Sequence, residues 1–405
     1  MNGKPDIDLY FGGQFTVGGN APMETGLFNL YVSESNPGRL LNTCEAMTAD
    51  SINCYFSVDS EKWYFITPLH DVDLTKVTVS NGASYVFRYY DGSSRATNGT
   101  GNSWRNVDNG KLTAGQGYIF RCNANAVVSF PAEASVHAQV FNTDDVIIAL
   151  NAFEAAASAN KSWNFVGNPY PCYYDIYYMD FTAPITVWTG STYKAYSIVD
   201  DNFVLRPMQS FFVQKPDAVD NIVFHKEGRQ LTTSINHDAA LARAFRTPAK
   251  ATTAVSRRFF NLQMIGDEME DETRLVINDN ASLGYEIERD ASKFMSFEPN
   301  VPQIFTLDGE GNGLLLSDIL GTEEDLVFRH LEEDVDILCL RQALSKLPQR
   351  EKEIVVMRYG LEGRRELTQK EVAQHMGISQ SYISRLEKRI MVRLRKELDR
   401  LTGCA

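Results

Sequence analysis

The 405 residues lack the spacings that mark familiar catalytic and metal centres. The six histidines, His70, His137, His225, His237, His330 and His375, include no His-Glu-x-x-His arrangement, which removes a zincin-type metal site. The six cysteines, Cys44, Cys54, Cys122, Cys172, Cys339 and Cys404, include no Cys-x-x-Cys pair, so a zinc ribbon and a dithiol redox motif are both excluded. Among 27 glycines there is no Gly-x-x-x-x-Gly-Lys-Ser/Thr loop and no Gly-x-Gly-x-x-Gly ahead of a helix, the two backbones that cradle phosphates. Long apolar runs are also missing: no stretch reaches the 18 or so residues of a spanning helix, and residues 1–8 lack the apolar core of a secretion signal. The expectation is a protein that is not an enzyme, with no cofactor, no metal and no membrane span.

Charge divides the chain unevenly. Its net charge is −13, yet from Arg341 onward fifteen Lys/Arg stand against eight Asp/Glu, a net of +7, leaving −20 on the first 340 residues. A basic tail on an acidic body points to a separate nucleic-acid-binding module.

That tail reads as a helix-turn-helix. Thr368 and Glu371 form a capping box, predicting a helix from Gln369. Val372, Ala373 and Met376 supply its inner face, and Gly377 can adopt the left-handed conformation that ends it. Ser379 caps a second helix whose Ile383, Leu386 and Ile390 recur at three- and four-residue spacing. With those residues turned inward, Gln380, Ser381, Ser384 and Arg385 face out near the helix start, where base edges can be read in a major groove. Lys388, Arg389, Arg393, Arg395 and Lys396 follow as a phosphate-facing cluster. Upstream, 335–347 is amphipathic through Ile337, Leu340, Leu344 and Leu347 and stops at Pro348. A further helix over 351–359 carries Ile354, Val355 and Met357 and ends at Gly360. Four helices with so small a core make each apolar residue count.

The first 300 residues are a different kind of protein. Segments such as Trp63-Tyr-Phe-Ile-Thr, Lys76-Val-Thr-Val-Ser, Ser84-Tyr-Val-Phe-Arg-Tyr-Tyr and Ser210-Phe-Phe-Val-Gln-Lys alternate, are rich in aromatic and β-branched residues, and are punctuated by Gly, Asn, Asp and Pro. The fold class is therefore multidomain: an all-β, sandwich-like N-terminal part followed by an all-α helix-turn-helix domain. Length divides the chain into β domains over 1–150 and 151–305, an acidic linker over 306–334 and the helical domain over 335–405. The stretches 109–120 and 204–213 each place a Leu, three linking residues and a Gln before an aromatic strand, a weak internal repeat.

Two resemblances follow from these residues. The run Ala343-Leu-Ser-Lys-Leu-Pro-Gln-Arg-Glu-Lys-Glu-Ile-Val-Val-Met-Arg-Tyr-Gly-Leu, with Leu367-Thr-Gln-Lys-Glu-Val-Ala and Ile378-Ser-Gln-Ser-Tyr-Ile-Ser-Arg-Leu-Glu-Lys, resembles region 4 of sigma-70-family initiation factors, most of all the sporulation type of Gram-positive bacteria. The likeness extends from about Asp308 to Leu398. It implies sequence-specific binding to double-stranded promoter DNA at the minus-35 element, transcription initiation with RNA polymerase core, and a cytoplasmic setting. Carried over by position, Gln380, Ser381, Ser384 and Arg385 fall at base-reading places, and Arg358, Arg364, Lys370 and Lys388 at phosphate contacts. Leu344, Leu347 and Ile354 fall in the segment that meets the flap of the polymerase β subunit. Many relatives carry Arg or Glu where this chain has Gln380, Ser381 and Ser384, so a different preferred element is implied. A complete factor of this family also has a helical region 2 that melts DNA, and the β-rich part cannot supply it.

The second resemblance is carried by Trp163-Asn-Phe-Val-Gly-Asn-Pro-Tyr-Pro, Pro207-Met-Gln-Ser-Phe-Phe-Val-Gln-Lys and Glu272-Thr-Arg-Leu-Val-Ile-Asn-Asp. These are similar to repeat β domains of large secreted or surface proteins from Bacteroidetes, which implies the alternative of an extracellular structural or adhesin-like protein. Export and promoter binding need different compartments. The join near Phe305-Thr-Leu-Asp-Gly-Glu-Gly-Asn accordingly reads as a fused, chimeric reading frame.

Overall fold

The computed structural model describes residues 3–19, 21–44, 46–99, 103–107, 110–132, 138–198, 201–235, 258–266, 270–278, 284–296, 301–309, 311–320, 343–344, 346–361 and 365–402. Two compact units emerge, Met1–Leu320 and Gly321–Ala405. The first is made of strands in many sheets and the second of helices, as the alternating and helical patterns require.

Unit 1 begins with parallel pairing, which a sandwich expectation does not contain. Strands Ile7–Leu9, Met23–Val32 and Met47–Val58 lie side by side in parallel, and Gln14–Val17 runs parallel to Arg39–Asn42. Partners recur at 21 to 25 residues, Ile7 with Phe28, Phe28 with Ile52 and Phe15 with Leu40. The chain thus winds as successive turns of a short solenoid. Gly12, at φ +73°, makes the corner between its first two strands, a conformation that costs an L side chain energy and glycine little. Along Met47–Val58 burial alternates almost strictly, the period-two signature of a strand with one face on the core. Ala126–Pro131 closes the stack on its far side by antiparallel pairing.

The rest of unit 1 is mainly antiparallel. One sheet orders Trp104–Asn106, Tyr85–Tyr90, Tyr118–Cys122 and Tyr64–Ile66, and another orders Trp163–Gly167, Ser210–Gln214, Ile185–Trp188 and Tyr193–Tyr196. The two expected repeat segments occupy matching places. Leu112 and Leu205 are fully buried, Gly115 and Met208 both have positive φ, and the following Gln116 and Gln209 form reciprocal bridges, Gln116 with Val166 and Gln209 with Ile66. A shared aromatic core joins the two halves: Phe65, Phe165, Trp188, Tyr193, Phe212 and Phe294 pack together, with Phe165 stacked on Phe212 at 4.4 Å and Phe212 on Phe294 at 4.5 Å. Pairs of this kind contribute about 0.5–1.5 kcal/mol each beyond their buried area. The one α-helix here among the described residues, α1 (Gly92–Asn98), is capped by the Asp91 carboxylate, which accepts from the Ser93 and Ser94 amides.

A last sheet joins Arg258–Ile265, Glu270–Asn278, Gly313–Leu320 and Ala291–Ser292, with Thr306–Leu307 at its side. Within the linker expected over 306–334, Thr306–Leu307 and Gly313–Leu320 are strands. Leu314, Leu315 and Leu316 are only 1–2% exposed, and an apolar run of this kind has more to gain in a core than in a solvated connection. Residues 321–334 lie outside the described residues. Lys293 and Asp271, both fully buried, pair at 2.5 Å, and Asp271 also accepts from the Thr192 hydroxyl and the Ile304 amide. Cys44, Cys54, Cys122 and Cys172 are free and buried, and burial pushes the Cys172 thiol up to about 12. Among the described residues no helix is long and apolar enough to cross a membrane.

Candidate nucleic-acid interface

The helical unit is built from α2 (Gln349–Arg358), α3 (Gln369–Met376) and α4 (Gln380–Thr402). Pro348, at φ −52°, stands just before α2, where a residue without an N–H costs no helical hydrogen bond. The helix expected over 335–347 falls mostly outside the described residues; its Ala343 and Leu344 are helical and buried. Val372 and Ile383 are fully buried, with Ala373, Ile390 and Leu394 at most 4% exposed. Together with Ile354, Val355 and Met357 they form a single core, and Leu386 and Met376 sit at its margin. Ala373 matters because a small side chain lets α3 approach α4 closely.

The caps form as their residues dictate. The Thr368 hydroxyl accepts from the Glu371 amide at 3.3 Å, and the Glu371 carboxylate accepts from the Thr368 amide at 2.7 Å. Those hydrogen bonds from Thr368, first the amide and then the hydroxyl, hold the Glu371 carboxyl below its ordinary value. Gly377 ends α3 at φ 67°, ψ 32°. Ser379 then accepts from the Tyr382 amide at 3.3 Å and starts α4. A tight left-handed turn between two capped helices is what aims the second one outward.

The base-reading candidates share that outward face. Gln380, Ser381 and Arg385 are exposed at the start of α4, and Ser384 is half-buried beside them. Lys370 and Lys388 are exposed, as are Arg389, Arg393, Arg395 and Lys396 further along α4. Arg393 also reaches back to Glu351 of α2 at 2.6 Å. The helix start adds its own partial positive charge to this surface.

Two sets of expected site residues are engaged inside the unit. Arg358, expected at a phosphate, is spent inside the unit: its guanidinium donates to the Leu367 carbonyl at 2.7 Å and sits 3.4 Å from the Glu387 carboxylate. Glu387 further accepts from the Gln369 amide group at 2.7 Å and the Tyr359 hydroxyl at 3.1 Å. This network ties α2, the entry to α3 and α4 together, and sequence spacing gave no sign of it. Leu344, Leu347 and Ile354, expected to meet a partner, are 7%, 8% and 1% exposed and belong to the core of this unit. What does open outward is a groove of about 590 Å³ lined by Arg350, Ile354, Met376, Ile378, Ser379, Tyr382 and Leu386, where Tyr382 is 50% exposed. Arg364 lies outside the described residues.

Fold and surface together define a helix-turn-helix module with a basic face. Residues 343–396 match the family model Sigma-70, region 4, while no family covers the N-terminal part. Among curated proteins the chain is similar to RNA polymerase sigma-E factor of Clostridium acetobutylicum, 60% identical over 95 residues that make 24% of this chain and 40% of that protein. It is also similar to RNA polymerase sigma-K factor of Bacillus subtilis, 39% identical over 93 residues, 23% of this chain and 32% of that one. The chain spans about two fifths or less of the length of these relatives. No solved structure is a significant match.

Proposed function

We propose that this chain binds duplex promoter DNA at the minus-35 element as a sigma-like protein, acting in the cytoplasm with RNA polymerase core. The observation that carries it is the capped α3–turn–α4 pair presenting Gln380, Ser381 and Arg385 at the start of α4, with a run of exposed Lys and Arg behind them. Arg385 can donate two bonds to a guanine edge, Gln380 can pair with adenine, and the serines adapt to either. Lys370, Lys388 and Arg389 set position through phosphates and carry no sequence information. Arg358 keeps an architectural role. For the polymerase, the apolar groove of Ile354, Met376, Ile378, Tyr382 and Leu386 is the part of the expected flap-contacting segment and its neighbours that opens outward, and it takes the flap contact in this reading, with Leu344 and Leu347 supporting it from the core.

The role is limited to positioning. Apart from α1 and four three-residue 3-10 helices, the described residues of unit 1 form strands and turns, and strand opening in the sigma reading requires a helical melting region. With core polymerase added, permanganate footprinting is expected to show no reactive thymines that depend on this chain; their appearance would assign opening to the β part. Sequence recognition is tested by selection from a random duplex pool. The wild-type chain should enrich one element. Arg385→Ala should relax preference at one position and cost about 1–3 kcal/mol on the selected site, whereas Lys388→Ala should weaken all duplexes alike. Equal loss on every sequence for both variants would move Arg385 to the backbone, and failure to enrich any element would end the proposal.

A further inference from the structure

Lys293 and Asp271 meet where water is excluded: their side chains are 1% and 0% exposed, and Nζ lies 2.5 Å from Oδ2. They come from different strands of the last sheet of unit 1. Asp271 belongs to Glu270–Asn278, Lys293 directly follows Ala291–Ser292, and Gly313–Leu320 runs between those two strands, paired with both. The surroundings are apolar, since Phe294, next to Lys293, and Tyr193, next to Thr192, belong to the shared aromatic core.

The two partners are not served equally. Asp271 Oδ1 accepts from the Thr192 hydroxyl at 2.5 Å, and Oδ2 accepts from the Ile304 amide at 2.7 Å as well as from Lys293. A lysine ammonium carries three donors, and among the described residues that of Lys293 meets one acceptor, Asp271 Oδ2. Burial holds the Lys293 amine below its ordinary value, outweighing the hydrogen bond and the charge of Asp271. An ion pair taken this far from water recovers its desolvation cost only when the remaining donors and acceptors are satisfied. Passing one proton across the contact leaves instead an amine and a carboxylic acid, both neutral and touching.

We propose that Lys293 and Asp271 close an intramolecular isopeptide bond once unit 1 has folded. The lone pair of Lys293 Nζ attacks Asp271 Cγ, and the Nζ–Cγ bond forms. Charge in the tetrahedral intermediate gathers on Oδ1, where the Thr192 hydroxyl is already in place to donate. A proton moves from Nζ to Oδ2, which the Ile304 amide also holds; the Cγ–Oδ2 bond breaks and one water leaves. Amine and acid become amide and water, so the step needs no oxidant, reductant or further reactant. Contact fixed by the fold supplies the entropy that a bimolecular condensation would lose, and exclusion of water from the site opposes hydrolysis of the product. The bridge joins the two strands that flank Gly313–Leu320 and so fastens that strand within the sheet.

Intact-mass spectrometry of the denatured full chain reads the bond directly. The mass should fall short of the sequence mass by one water, and a protease digest should contain a branched peptide whose fragments join the segment of Asp271 to that of Lys293. Lys293→Arg keeps a cation opposite Asp271, but its guanidinium stays protonated and does not attack; this variant should return to the full sequence mass with the near-ultraviolet circular dichroism of unit 1 retained. Should that variant not fold, the wild-type digest decides alone. A wild-type chain at its full sequence mass would overturn the proposal. So would a missing water traced to a linear peptide, as cyclisation at Asp91-Gly92 or Asp308-Gly309 would give.

Discussion

At the scale of single residues, the most local device is the reciprocal pair at the head of α3. Thr368 and Glu371 each satisfy an amide that an isolated helix leaves unpaired, and removing such a cap costs about 0.5–2 kcal/mol. Thr368→Ala should therefore lower the stability of the helical unit within that range, read by thermal or urea unfolding. The pH sense follows from the depressed Glu371 carboxyl. A group whose folded value lies below its unfolded one contributes stability that is present above the ordinary value near 4.5 and is lost as pH falls through the lower folded value. Glu371→Gln should abolish that acid-side dependence; a variant whose unfolding keeps the wild-type acid profile would show that the capping box contributes nothing measurable. These residues were legible in the sequence because a cap acts over three positions, as were Gly377 and Ser379.

At the scale of elements, legibility falls with sequence distance. The inward faces of α3 and α4 could be read from Val372, Ala373, Ile383 and Ile390 because each helix carries its own period. Glu387 could not, since its partners Gln369 and Tyr359 lie 18 and 28 residues away and their meeting depends on how three helices pack. The same gap hid that Arg358 is engaged with Leu367 and Glu387 and that Leu344, Leu347 and Ile354 lie in the core. The solenoid turns escaped for another reason, since their 21- and 24-residue spacings are unequal. A consequence for α2 and α4 can be measured. Glu387→Ala removes the nearer of the two carboxylates beside the half-buried Arg358 guanidinium, leaving only the more distant, exposed Glu366, so it should destabilise the helical unit by about 1–3 kcal/mol, with DNA affinity falling only in proportion to the unfolded fraction. A loss of DNA binding in a fully folded variant would return Arg358 and Glu387 to the interface.

At the scale of the whole molecule, charge changes sign within the chain: the residues before Arg341 are strongly acidic and those from Arg341 on are basic. The division of charge, −20 against +7 about residue 341, was plain in composition, as was the change from aromatic alternation to helical periodicity. What composition could not locate was the end of the β part, because Leu314, Leu315 and Leu316 reveal a buried strand only through their pairing with distant segments such as Glu270–Asn278. The acidic bulk opposes association with DNA at long range, so the proposed promoter binding requires a concentrated set of phosphate contacts on α3 and α4. A fluorescence-anisotropy titration of the chain on its selected duplex at low and at near-physiological salt tests this most directly. Release of counterions from several phosphates predicts that affinity falls by about tenfold or more over that range, with the selected duplex still preferred over an unrelated one. Affinity that does not change with salt, or equal binding to both duplexes, would contradict the assignment of the helical unit as a promoter-reading module.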